Sequence, residues 1–352
     1  MQFVFQVVKN KTLEEMMAMN HCYYFNMDSY SNREQIKSFC QDYRENLYFS
    51  MGKKRTWRDW LTGKKFTDKY AKIIYKQTVA KVEGTDCEQF LKSVKKYKNI
   101  YQESVPYINL LATNYCNLNC KGCGALMPVY NRSKEKYNMP IETLEKLLTR
   151  YNELSHNGVI GVIDIVGGEP LLHPNIIEFM KVVRKYNPQS TINLITNGLL
   201  IPNMTDDFFK VATECRIKLA LSIYGKGTYF EKINISHDET IPSAECSFCC
   251  GHAPVIFPEY KRVSIGGVPL LANGDLFYCG FNAIEKLNEY FKENFELVKG
   301  VDYVNIFEID SFQEILDMMQ QPHCNFHKYC KQREIFEWDV SCCDKYEWVK
   351  NP

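Results

Sequence analysis

Between residues 107 and 223 the chain alternates four short apolar-rich runs with three segments of helical periodicity, and this alternation limits the fold more than any other feature. Residues 107–112, 159–166, 191–195 and 217–223 are rich in β-branched and aliphatic side chains and read as buried strands. Residues 141–154, 175–186 and 205–213 repeat apolar side chains at helical spacing. Pro140 suits the first turn of one helix and Thr205 the N-cap of another. Strand, helix and strand in succession mean parallel strands joined by crossover helices. Ligands in such folds meet the C-terminal ends of the strands, so the residues just past each run are the first candidates for chemistry.

Those positions hold distinctive residues. The first strand leads into Cys116, Cys120 and Cys123, spaced C-x3-C-x2-C. A short loop of this kind can turn three thiolates towards one soft metal centre. A zinc site would ordinarily take a fourth Cys or His close by, and none follows Cys123 closely. The second strand stops at Gly167-Gly168-Glu169-Pro170. Paired glycines there let the backbone approach a ligand, and their carbonyls with Glu169 can hold an ammonium group. His173 either faces the same ligand or caps the next helix. Asn197 after the third strand and Ser222 near the end of the fourth are polar groups that face a ligand or simply end a strand.

The three-cysteine loop, the GGEP segment one βα unit later and the run Ser222-Ile223-Tyr224-Gly225 resemble the signature of the radical SAM superfamily in order and spacing. The resemblance spans residues 106–345. It implies an α/β fold: a partial (β/α)6-type barrel over residues 106–240, a mainly helical N-terminal extension over 1–105, and a small cysteine-rich α+β module over 241–352. It further implies that Cys116, Cys120 and Cys123 hold a [4Fe–4S] cluster with one iron open to S-adenosylmethionine (SAM). Gly167, Gly168, Glu169 and Pro170 would hold the amino group of its methionine, and Asn197 and Ser222 would face the cofactor. One electron from the cluster would cleave SAM to methionine and a 5′-deoxyadenosyl radical that takes a hydrogen from the substrate. A donor such as flavodoxin or ferredoxin would be a partner. Many members place an aromatic residue before the third cysteine, packed on the adenine. Here that position is Gly122, which leaves Tyr115 or Leu126 as candidates for the packing.

A second set of cysteines resembles the half-module called twitch, a shortened relative of the SPASM domain that binds an auxiliary [4Fe–4S] cluster. Gly274 precedes Cys279 at the spacing the resemblance requires, and Cys324 and Cys330 would supply two more thiolates. Cys246, Cys249 or Cys250 would complete the set, with Cys250 preferred. The alternatives are a zinc site on these thiols, with His252, His323 or His327, and free thiols. The stretch Gly124-Ala125-Leu126-Met127-Pro128 is similar to radical SAM proteins of polysaccharide and sugar-modifying gene clusters, which suggests a carbohydrate or nucleotide-sugar substrate. A peptide substrate is the second choice.

The remaining features are less specific. The chain has 352 residues and fifteen cysteines, and Cys22, Cys40, Cys87 and Cys215 stand apart as buried inert thiols. Residues 1–8 are apolar, too short and too poor in basic residues for a signal peptide, and read as a strand. No apolar run is long enough to span a bilayer, so a cytoplasmic location is expected, where clustered cysteines are metal ligands rather than disulfides. Thr12 to Glu15 has the form of a helix start, residues 32–49 and 69–96 read as amphipathic helices, and Trp57 and Trp60 share one helical face. Residues 52–100 hold 14 Lys/Arg against 5 Asp/Glu, a balance of +9 within a chain of net charge +1. A solvated helical face explains that segment better than a nucleic-acid surface. A zinc- and nucleic-acid-binding protein is the rival class, and it leaves the GGEP segment unexplained.

Overall fold

A computed structural model describes residues 22–26, 30, 33–34, 36–38, 40–41, 44, 107–133, 136–156, 160, 162–222, 224, 229–232, 254–257, 260–264, 268–270, 272–278, 284–319, 325–329 and 334–349. Residues 1–8 and 12–15, Trp57, Trp60 and the basic 52–100 segment lie outside them.

The first half of the described chain comprises β1 (Cys22–Asn26), β2 (Tyr107–Thr113), α1 (Met127–Ser133), α2 (Ile141–Leu154), β3 (Val162–Gly167), α3 (Ile176–Tyr186), β4 (Thr191–Thr196), α4 (Asp206–Glu214) and β5 (Ile217–Ser222). The neighbours β2–β3, β3–β4 and β4–β5 are all parallel, as the alternation predicts. Thr205 caps α4, its hydroxyl accepting from the Phe208 N–H at 3.3 Å. Pro140 sits at the N-cap of α2 rather than inside its first turn. This is a partial (β/α) barrel of the type expected.

Alternate residues on each strand divide the sheet into two faces. Ile163 and Ile165, Ile192 and Leu194, and Ile217 and Leu219 join Leu144, Leu147, Tyr151, Phe179, Met180, Phe208 and Phe209 of the helices in one core. Each such side chain contributes about 1.5–3 kcal/mol on burial. The other face carries a polar row, Asn109, Asp164, Asn193 and Lys218, aligned residue for residue across four strands. Within it the Asn193 Nδ2 donates to Asp164 Oδ1 at 2.7 Å.

Both edges of this sheet are extended by further strands. β1 pairs with β5, with Cys22 opposite Ser222. The N-terminal region, expected to be mainly helical, thus also supplies a strand, while Ile36 and Cys40 enter the main core. At the other edge β9 (Val268–Leu270) lies parallel to β2, followed by β10 (Asp275–Phe277) and β11 (Tyr303–Asn305), each antiparallel to its predecessor. A turn at Asn273-Gly274 joins β9 to β10, with Gly274 at φ +94. β8 (Tyr260–Ser264) pairs with β7 (Pro254–Phe257) in a separate ribbon.

Two helices follow, α5 (Ile284–Phe291) and α6 (Phe312–Met319). Glu314 accepts from the N–H groups of Asp310 and Ser311 and so caps the start of α6. A satellite core gathers Leu126, Val129 of α1, Phe277, Ile284, Leu287, Phe326, Cys343 and Trp348. The last strand, β12 (Glu334–Glu337), pairs with β6 (Tyr229–Lys232). Among the described residues no helix is long and apolar enough to cross a membrane.

Candidate metal and cofactor site

The three-cysteine loop leaves β2 at its C-terminal end and turns back beneath α1. Asn131 of α1 holds it: its Nδ2 donates to the carbonyls of Cys116 (2.9 Å) and Leu118 (3.2 Å), and its Oδ1 accepts from the Cys116 N–H at 3.3 Å. Sequence reasoning missed Asn131, and no spacing rule points to it. Gly122 adopts φ +60, a conformation that disfavours the aromatic residue many superfamily members carry there. Burial, first of all, raises the pKa of all three thiols' first member, Cys116, well above the usual range and pushes Cys120 up to about 12. Repulsion from Cys123 adds to this at both thiols.

The glycines after β3 explain how the loop docks. The N–H groups of Gly168 and Glu169 donate to the carbonyls of Thr113 (3.0 Å) and Tyr115 (2.9 Å). A Cβ on Gly168 would lie 2.0 Å from the Tyr115 carbonyl oxygen, and one on Gly167 would lie 2.4 Å from that of Thr113. The close approach these glycines permit is therefore to the cysteine loop itself. Glu169 is fully buried; its Oε1 accepts from the Thr196 hydroxyl (2.6 Å) and the Leu171 N–H (3.0 Å), and its Oε2 from the Asn197 N–H (2.8 Å). Burial raises its pKa to about 7 against the lowering pull of those three hydrogen bonds. Pro170 begins a short 3-10 turn. His173 serves the helix end: its Nδ1 accepts from the Asn175 N–H at 3.1 Å, and its Nε2 lies 2.9 Å from the Met139 carbonyl oxygen.

Asn197 joins the two motifs. Its Nδ2 donates to Asn117 Oδ1 at 2.7 Å and lies 3.8 Å from the Cys116 sulfur. Ser222 is buried at the end of β5, two strands from the GGEP turn. Of the two residues considered for adenine packing, Leu126 is committed to the satellite core. The Tyr115 ring carries the Lys136 ammonium 5.0 Å from its centre, and its hydroxyl donates to the Leu172 carbonyl.

The far side of the loop is held by the C-terminal segment, a role no motif signals. The Lys121 N–H donates to the Asp339 carbonyl (2.9 Å), the Ser341 N–H to that of Asn119 (2.8 Å), and Cys120 bridges Val340 antiparallel. Glu347 accepts from the Gly122 N–H through Oε2 (3.0 Å) and from the Cys343 N–H through Oε1 (3.1 Å). The Trp348 indole donates to the Cys123 carbonyl at 2.8 Å. Cys40 and Cys215 are buried, in keeping with inert thiols. Cys87, Cys246, Cys249, Cys250, Cys279, Cys324 and Cys330 lie outside the described residues, as do His252, His323 and the side chains of Cys22 and His327. Among the described residues no three of His, Cys, Asp and Glu converge on a single metal ion.

Residues 110–223, which hold the cysteine loop, the GGEP turn, Asn197 and Ser222, match the model of the Radical SAM superfamily. That segment is thus similar to the radical SAM domain, over about a third of the chain. Curated relatives of the radical SAM segment include GTP 3′,8-cyclase of Alkaliphilus oremlandii, 28% identical over 137 residues, which are 38% of this chain and 40% of that protein. The enzyme of the same name from Alkaliphilus metalliredigens is 34% identical over 104 residues, 30% of this chain and 31% of the relative. The chain thus matches about a third to two fifths of the length of these relatives. Among solved structures, BtrN in complex with AdoMet and 2-DOIA is 14% identical with a TM-score of 0.35, over 70% of this chain and 98% of that one.

The donor set fits a radical SAM centre. Three thiols lie in one loop with the Leu118 N–H 3.4 Å from the Cys116 sulfur, and donors to sulfur are what a thiolate-bound iron–sulfur cluster accepts. The buried Glu169 carboxylate beside them suits the cationic end of an amino acid.

Proposed function

We propose that this protein is a radical SAM enzyme acting on a carbohydrate or nucleotide-sugar. The observation that carries the reading is the meeting of the cysteine loop, the GGEP turn and Asn197 at adjacent strand ends, within hydrogen-bonding reach of one another. In this reading Cys116, Cys120 and Cys123 hold a [4Fe–4S] cluster. When bound with SAM, the cluster supplies the electron that yields methionine and a 5′-deoxyadenosyl radical able to take a substrate hydrogen.

The chain's own residues then bind and orient. A carboxylate has about four acceptor sites, and Glu169 uses three on Thr196, Leu171 and Asn197. The remaining one, together with carbonyls of the Gly167–Pro170 turn, would hold the ammonium of SAM. A cation there keeps Glu169 ionised, which its burial otherwise opposes. Asn197 and Ser222 face the ribose or carboxylate of the cofactor, and burial of the turn keeps water from it. GTP, named in the relatives, is a nucleotide with a ribose, which supports a sugar-bearing substrate. An electron donor such as flavodoxin or ferredoxin completes the system.

An auxiliary [4Fe–4S] cluster on Cys250, Cys279, Cys324 and Cys330 is part of the proposal. Tyr278 and Tyr329, chain neighbours of Cys279 and Cys330, both pack on the satellite core, which supports it. The test is anaerobic reconstitution, reduction with dithionite and assay of 5′-deoxyadenosine from SAM. Wild type should form it and bind about eight irons. Cys120→Ala should form none while remaining folded; retention of the product in that variant overturns the cluster assignment. A variant with Cys116, Cys120 and Cys123 all changed to Ala should keep about four irons. If it keeps none, the auxiliary cluster is absent.

A further inference from the structure

Trp338 follows β12 directly and is 8% exposed, yet its indole Nε1 has no hydrogen-bond acceptor. Buried polar groups are seldom left unpaired, and each such case calls for an explanation. The strand register places this side chain. Val340 bridges Cys120 antiparallel, and on an extended segment residues two apart lie on the same side, which brings Trp338 to the side of the Cys120 thiol. A neutral thiol is a weak hydrogen-bond acceptor, whereas a thiolate is a strong one. Tyr224, two residues past β5, packs on Trp338 with ring centres 6.0 Å apart and holds the indole in place.

We propose that the Trp338 indole N–H donates a hydrogen bond to the Cys120 sulfur when that sulfur is a cluster-bound thiolate. Trp338 is thereby a residue that sets the cluster's reduction potential from the far end of the chain. The inference rests on the cluster reading of the Cys116–Cys123 loop. Hydrogen bonds to cluster sulfurs favour the more negative, reduced state and raise the potential. The second tryptophan on the loop differs in kind: the Trp348 N–H is engaged by the Cys123 carbonyl, not by a sulfur.

The test compares reconstituted wild type, Trp338→Phe and Trp348→Phe in an anaerobic potentiometric titration with dithionite, followed by EPR. To resolve one cluster, it is done in a background with Cys279→Ala. Trp338→Phe keeps the ring and removes the N–H, and its potential should shift negative while iron content stays at the wild-type value. Trp348→Phe should leave the potential where it is. Indole-15N-labelled tryptophan should give a 15N coupling to the reduced cluster in pulsed EPR that survives Trp348→Phe. This measurement carries the test if Trp338→Phe fails to fold or loses iron. A brown wild type with no 15N coupling, or with a potential equal to that of iron-loaded Trp338→Phe, overturns the hydrogen bond alone. A wild type that takes up no iron overturns the cluster reading and this inference with it.

Discussion

The two sides of the cysteine loop are held by opposite means. On the near side, one βα unit downstream, the contact is backbone against backbone: Gly167 and Gly168 leave no room for even a methyl group beside Thr113 and Tyr115. On the far side the partners are 225 residues away, and side chains reach out to it: Glu347 takes the Gly122 N–H and Trp348 finds the Cys123 carbonyl. The near side is therefore all-or-none, because a clash with backbone has nowhere to relax. The far side can be weakened by degrees, one hydrogen bond at a time.

The largest expected break is on the near side. Gly168→Ala puts a carbon 2.0 Å from a carbonyl oxygen and should cost about 3 kcal/mol or more. Urea unfolding should show the loss, and reconstitution should show less iron on the loop. Next comes the carboxylate that joins the near side to β4. The folded pKa of Glu169, about 7, exceeds its ordinary 4.5, so the native state keeps a proton over a range where the unfolded chain has lost it. In the absence of SAM its contribution is fully present below pH 4.5 and declines as pH rises towards 7, by at most ~1.4 kcal/mol per pH unit. Glu169→Gln should flatten the measured stability across that window; an equal slope in both proteins defeats the assignment.

On the far side, Glu347→Ala strips the acceptor from the Gly122 and Cys343 N–H groups and should cost about 2 kcal/mol. Glu347→Gln, which keeps an acceptor oxygen, should lose about half as much. Faster hydrogen exchange at the Gly122 amide would locate the effect. The smallest change is Trp348→Phe, one hydrogen bond worth about 1 kcal/mol, with iron content unaltered. A far-side variant more damaging than Gly168→Ala would reverse the comparison.

The near side was also the legible one. Strand ends, C-x3-C-x2-C and GGEP are local patterns, and the parallel order of β2 to β5 follows from periodicity and short connections. The purpose of the glycines was only half legible, because a close approach can be read from sequence whereas its partner, here Tyr115, cannot. Asn131, Glu347 and Trp338 were out of reach for another reason: each acts through a contact between elements whose meeting depends on tertiary packing. β1 escaped for the same cause, since pairing between residues 22–26 and 218–222 bridges almost two hundred positions. Gly122 was read as a departure from the family pattern, and its φ of +60 supplies a local reason for it.

That the loop's second support lies so far along the chain has a bearing on how the protein is made. Trp338 leaves the ribosome about 215 residues after Cys123, which at roughly 5–20 residues per second is a delay of roughly 10–45 s. During that interval β2 to β5 can already assemble, while the three thiols have their near-side docking but neither Glu347 nor Trp348 to close over them. Iron delivered in the meantime would meet an open, water-accessible loop; iron delivered afterwards would have to enter a closed one.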